Sequence, residues 1–275
     1  MNSQHPDFAA SEAQWQRFRT SRNAALASDY GWLTLTSFQW LAAEPSAVDL
    51  APGLWSADGT TASLRAAAGD GLTVVDSGAV VDGTITIELA DEESHLWVQY
   101  GGDDGSRVRV ELAKRAGQYA IRTRDSTSPV FTEFTAVPTY AFNADWVIMA
   151  HFTRYAEPQD IPIKTANPLV GGIHRSAGEL AFHVPGIKHE IRLQAEQDDL
   201  GTLNVTFHDA TNGDSTDSWR RVSTARPRPD GTVILDFNRA INYPSAFTPF
   251  GTCPMPVKNN SLAVRVEAGE KRTAE

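Results

Sequence analysis

The chain has one cysteine, Cys253, in 275 residues, so no intramolecular disulfide framework is open to it. It contains no HExxH, no CxxC and no His-x-His, and its seven histidines (His5, His95, His151, His174, His183, His189 and His208) are scattered. A structural zinc site therefore has no support, and neither a metal nor a cofactor is expected. A Gly-x-Ser-x-Gly elbow and a phosphate-cradling glycine loop ending in Gly-Lys are both missing. No stretch approaches the roughly 20 apolar residues that span a bilayer. The first thirty residues hold Asp7, Glu12, Arg17, Arg19 and Arg22 where a secretory signal needs an apolar core. Positive charge is also scarce. Lys and Arg number 24 against 34 Asp and Glu, a formal charge of −10 with no basic run, so neither nucleic acid nor an anionic membrane is an expected partner. What remains is an acidic, soluble protein, expected in the cytoplasm, of ordinary globular composition and long enough for one large β domain or two smaller ones.

What the chain does have is alternation. Residues 11–27 read as a helix, with Ser11 and Glu12 at its start and Trp15, Phe18, Arg22 and Ala25 recurring at spacings of three and four. Trp32, Phe38 and Trp40 then lie among leucines and threonines, as a buried strand or strand-turn-strand would place them. Alternating runs follow at residues 72–75, 84–89, 95–100, 107–112 and 118–122. Turn signals rich in Asp-Gly and Gly-Gly separate them at 57–59, 69–71, 81–83, 101–105 and 116–117. No helical period intervenes, which argues against a parallel βαβ sheet. The segment Arg124-Asp125-Ser-Thr-Ser-Pro129 breaks the pattern and reads as a junction. There Asp125 is suited to capping the following turn and Arg124 to pairing with a carboxylate. Strands resume at residues 146–152, 159–164, 179–184, 189–193 and 202–207. The expectation is an all-β fold in three parts: an N-terminal helix and lead-in (1–30), an antiparallel β-sandwich (31–124), and a second antiparallel, barrel-like β unit (125–275) on which the sandwich packs.

Polar residues concentrate at 230–271. An apolar strand (Val233, Ile234, Leu235) runs into Asp236, Asn238, Arg239 and Asn242. A long irregular loop with Pro244, Pro249, Cys253, Pro254 and Pro256 comes next, followed by the alternating Leu262, Val264 and Val266. If strands 202–207, 232–237 and 262–266 are neighbours, Asp209 and Asp236 project at one rim, where two carboxylates can divide acid and base work. Arg239 offers a planar fork to an anionic or hydroxylated ligand, with Asn238 and Asn242 beside it. The same side chains are equally suited to pinning the loop through bonds to backbone groups. Cys253 is either a thiol that needs a nearby base or cation to activate it, or a packed small hydrophobe.

Several motifs fall in order: Arg124-Asp125 with Ser128-Pro129, Phe207-His-Asp-Ala-Thr-Asn-Gly213 and Leu235-Asp-Phe-Asn-Arg-Ala240. Asn242, Pro244-Ser-Ala-Phe247, Thr252-Cys-Pro254, Asn260 and Glu267-Ala-Gly-Glu-Lys271 complete the set. In these the chain resembles the bacterial and archaeal family called domain of unknown function 1684. It departs from that pattern at Ser245, where the family has cysteine, and at Thr216-Asp-Ser-Trp-Arg-Arg221, where the family has a Thr-Tyr…Gly-Arg segment; no role needing two thiols is carried over. The resemblance implies an architecture whose first half looks like a forkhead-associated β-sandwich. It gives a location for a site but names no reaction. The arrangement by which forkhead-associated domains read phosphothreonine is not evident between Val48 and Asp91. The functional expectation is therefore a small-molecule site at the rim of the second unit. It works by metal-independent hydrolysis with Asp209 and Asp236, or by binding alone through Arg239, Asn238, Asn242, Cys253, Asn260 and Glu267. The alternative is a non-enzymatic module in which the sandwich meets a protein partner.

Overall fold

The computed structural model describes residues 8–101 and 107–273; His5, Asp7 and most of the turn anticipated at 101–105 lie outside them. The chain is all-β with one long helix, α1 (Phe8–Leu26). It divides into two compact units, residues 25–134 and residues 1–24 with 135–275.

The first of these holds β1 (Gln39–Trp40), β2 (Ser46–Val48), β3 (Ala51–Ala57), β4 (Thr61–Ala66), β5 (Thr73–Val74), β6 (Gly83–Glu88), β7 (Ser94–Gly101), β8 (Arg107–Arg115) and β9 (Gln118–Asp125). They form two antiparallel sheets, ordered β1-β9-β8-β7-β5 and β2-β3-β4-β6. Inward residues of both sheets share one core, in which Trp55 and Trp97 meet edge to face at 5.8 Å. The β3–β4 hairpin shows why Asp-Gly reports a turn. Gly59 sits at φ +90°, and Asp58 Oδ1 accepts from Thr60 N and Thr61 N at 2.9 and 2.8 Å. The β5 stretch pairs over two residues rather than the four anticipated. Buried Glu111 on β8 bonds to both Arg122 and Arg124 of β9. Arg124 also donates to Gly31 O at 2.7 Å, while Asp125 Oδ1 accepts from the amide and hydroxyl of Thr127.

The second unit takes α1 as far as residue 24, with β10 (Val147–Lys164), β11 (Gly171–Phe182), β12 (Ile191–Gln197), β13 (Leu203–Asp209), β14 (Arg220–Ser223), β15 (Thr232–Asp236), β16 (Ile241–Asn242) and β17 (Ser261–Leu262). The sheet runs β15-β10-β11-β12-β13-β14-β16, with β17 parallel on β13, and curls into a half-barrel. Phe237 is the hub of its core, with Trp146, Phe182 and Phe207 at 5.7, 5.9 and 5.4 Å.

Two expectations are corrected here. The runs at 146–152 and 159–164 are one strand, β10, and a register shift between Arg154 and Gln159 absorbs Pro158. The premise that 202–207, 232–237 and 262–266 are neighbours fails for one pairing and holds for another. Three strands stand between β13 and β15, whereas the start of the 262–266 run does lie beside β13, through β17 and the bond from Ala210 N to Val264 O. Alternation reports which face a residue takes, not which strand lies beside it.

Candidate functional site

β13 and β15 run in the same direction, so Asp209 and Asp236 finish at one edge of the sheet, each enclosed by its own partners. Asp209 Oδ1 faces Arg220 Nη2 at 3.1 Å, with both side chains fully buried. Its Oδ2 accepts from Val266 N at 2.8 Å and from the Thr211 hydroxyl at 2.7 Å. Arg220 donates in addition to the carbonyls of Val266, Ala268 and Glu270. Both oxygens of Asp209 are thus engaged, Oδ1 by Arg220 and Oδ2 by Thr211 and Val266. Asp236 caps the short turn Phe237–Arg239, its Oδ1 accepting from the amide and side chain of Asn238 at 3.0 and 2.9 Å. Burial pushes its carboxyl above the ordinary range, against the pull of those bonds and of nearby Arg239.

Asn238 and Asn260 share one physical role. A side-chain amide carries a donor and an acceptor, as a peptide group does, so it substitutes for a missing strand partner. Asn238 brackets Asn143, accepting from its N and donating to its O at 2.8 and 2.9 Å. Asn260 accepts from Gln194 N and donates to Gln194 O and Thr206 O, filling the gap where β12 and β13 diverge. Asn242 uses only its donor, from Nδ2 to Lys271 O at 2.8 Å, and its Oδ1 is buried without a hydrogen-bond partner. All three are buried. Cys253 is buried too, and its carbonyl accepts from Ala166 N, which fixes the proline-rich loop to the end of β10. Glu267 lies exposed beside Arg265 at 2.9 Å.

Glu270 brings the helix in. This buried carboxylate accepts from Arg19 Nη1 at 3.3 Å, Arg22 Nε at 3.0 Å and Asn242 N at 2.7 Å. Trp15 Nε1 donates to Asn238 O at 3.0 Å. The face of α1 formed by Trp15, Arg19 and Arg22, spaced by four and three, is therefore docked by two cations and an indole on the 236–242 and 266–271 segments. Gly269 allows those two segments to close up. At φ +76°, a Cβ there would stand 2.5 Å from Ala240 O.

This docking sets Phe18 against Arg239. Phe237, Asn238 and Ala240 point inward, so Arg239 points outward, its guanidinium 4.6 Å from the Phe18 ring centre. The pair forms a rib between two open recesses. One, about 380 Å³, adds Gln14, Arg17 and Ser21. The other, about 370 Å³, adds Arg221, Ser223, Thr224 and Ile241. Arg221 is held over the Tyr243 ring at 5.7 Å, and its Nε is buried without a hydrogen-bond partner. Among the described residues no carboxylate lies within ion-pairing distance of Arg17, Arg221 or Arg239.

Sequence reasoning singled out Arg239 but gave no place at the site to Arg17, Arg221 or Phe18, which line the recesses beside it. The one usable signal was the doublet Arg220-Arg221 on a strand. Adjacent strand residues take opposite faces, so one arginine must be buried with a partner while the other faces outward. A larger recess of about 480 Å³ lies elsewhere on this unit, between Arg154, Asp198, Asp199, Arg226 and Arg228. Its walls carry both charges, and Arg154 and Arg226 are already bonded to Gln197 and Leu200 O. Among the described residues no three His, Cys, Asp or Glu side chains are grouped to hold a metal ion, and no helix is long and apolar enough to cross a membrane.

No curated protein matches the chain. Among solved structures it is similar to the solution NMR structure of an uncharacterized protein from Haloarcula marismortui. Identity is 26%, 51% of this chain and 78% of that one are covered, and the TM-score is 0.43. Residues 132–271, just over half the chain, match the family described as "Protein of unknown function (DUF1684)", and the chain belongs to that family.

Proposed function

We propose that the protein binds a small anionic ligand at the Phe18–Arg239 rib. The observation that carries this reading is the gathering of Arg17, Arg221 and Arg239 without ion-paired carboxylates, in a chain whose formal charge is −10. Arginines with no carboxylate in ion-pair contact can take up an anion, and the guanidinium fork suits carboxylate and phosphate. Binding is favoured over hydrolysis because the oxygens of Asp209 are already engaged by Arg220, Thr211 and Val266, which leaves no free base at that position. The reading takes the chain to work in the cytoplasm.

Calorimetric titration with inorganic phosphate and with acetate, at low and high salt, tests it. Affinity is expected on the order of millimolar or tighter, to weaken with salt, and to fall about tenfold or more in Arg239→Ala while the melting temperature stays put. Unchanged affinity in that variant would sink the proposal. Binding of neither anion would favour the alternative of a protein-interaction module.

A further inference from the structure

We infer that the ligand carries two anionic groups, one for each recess, joined by a short spacer that crosses the rib. This rests on the anion-binding reading above and adds to it the number and placement of the charges. Both recesses are lined by Phe18 and Arg239, so they adjoin along that pair. Each has its own arginine, Arg17 on one side and Arg221 on the other; the first adds the Ser21 hydroxyl, while the hydroxyls of Ser223 and Thr224 in the second already donate to Asn204 Oδ1 and Ala225 O. A ligand with one charge would occupy one recess and leave the arginine of the other without a counter-charge. A ligand with two satisfies both and lays its spacer over the guanidinium and ring between them. At about 380 and 370 Å³ the recesses each exceed what a single carboxylate or phosphate group needs. Together they fall within the span of small-molecule sites, roughly 300–1,000 Å³. The class is thus a dicarboxylate, a bisphosphate or a phosphorylated acid.

Titration with malonate, succinate, glutarate and adipate, each against the monocarboxylate of equal length, reads this directly, with pyrophosphate against phosphate as a second series. The best dianion is expected to bind at least about tenfold tighter than its monoanion, because a second charge-assisted contact is formed. Arg17→Gln and Arg221→Gln should each bring that ratio close to one. Arg239→Ala should weaken both kinds of ligand. Equal affinity for mono- and dianions in the unaltered protein overturns the inference, and that comparison needs no variant to fold. A preference that survives both glutamine variants overturns it as well. In either case a loss in Arg239→Ala would leave the simpler anion reading standing, whereas binding of neither series removes both.

Discussion

Replacing Asp209 by Asn separates a structural from a chemical role for the aspartate. Asparagine keeps the size and one oxygen but puts an NH₂ group where a carboxylate oxygen now accepts. Whichever way the amide turns, a donor meets a donor: Arg220 Nη2 on one side, or Val266 N and the Thr211 hydroxyl on the other. The Arg220 guanidinium, fully buried, then loses its only ion-pair partner among the described residues. Breaking one side of such a pair costs about 3–5 kcal/mol. That is a large share of the roughly 5–15 kcal/mol that holds a domain together. At about 2–4 °C per kcal/mol for a unit of this size, the melting temperature should fall by roughly 6–20 °C. Guanidinium denaturation should show an earlier midpoint with an unchanged slope. Replacing both partners with apolar residues, Asp209→Leu with Arg220→Met, should recover much of the loss, because no charge is then left stranded. An Asp209→Asn protein as stable as the parent to within about 1 kcal/mol, yet unable to bind ligand, would refute this reasoning and return Asp209 to the site.

Three further outcomes follow from other contacts. Glu270→Gln weakens the acceptor of Arg19, Arg22 and Asn242 N; it should cost about 2–4 kcal/mol, speed amide exchange throughout α1 and lower anion affinity in step, and unchanged α1 exchange would contradict the docking described. Asn260→Ala removes three buried bonds between β12, β13 and the loop, an expected loss of about 2–4 kcal/mol in denaturant titration; a loss under about 1 kcal/mol would show the bonds to be dispensable. Burial pushes Glu111 up, but Arg124 and Arg122 outweigh it and hold the carboxyl below its ordinary value of 4.5. The unfolded chain therefore binds more protons in that window, and the contribution of Glu111 is complete above the ordinary value and lost as pH falls through the folded one. Glu111→Gln should flatten the decline in stability below that value, and an unaltered acid decline would count against the buried triad.

How far the sequence could be read depended on what each signal encodes. Asp-Gly turns and period-two alternation are local, so the β8–β9 hairpin at residues 107–125 was legible. Strand order is not local. Val147 to His151 pairs with β15, about eighty residues further along the chain, and nothing in either stretch names the other. The motif-rich segment was found because it departs from alternation, yet its asparagines bond to backbone at Asn143, Gln194 and Lys271. An amide that would bind a ligand and one that pins a coil look the same in a sequence, and a long irregular loop has many backbone groups to satisfy. Phe18 illustrates the opposite difficulty. Its spacing from Trp15 and Arg22 marked a packing face, and only the docking of α1 through Glu270 brings its ring to Arg239.

The most direct measurement is the NMR spectrum of the arginine Nε–Hε groups during addition of a dicarboxylate to the intact protein. The resonances of Arg17, Arg221 and Arg239 are expected to move together along one saturable curve. Those of Arg175 and Arg192, surface arginines already beside carboxylates, are expected to stay in place. Shifts spread evenly over the surface arginines, or confined to groups away from Phe18, would contradict the account.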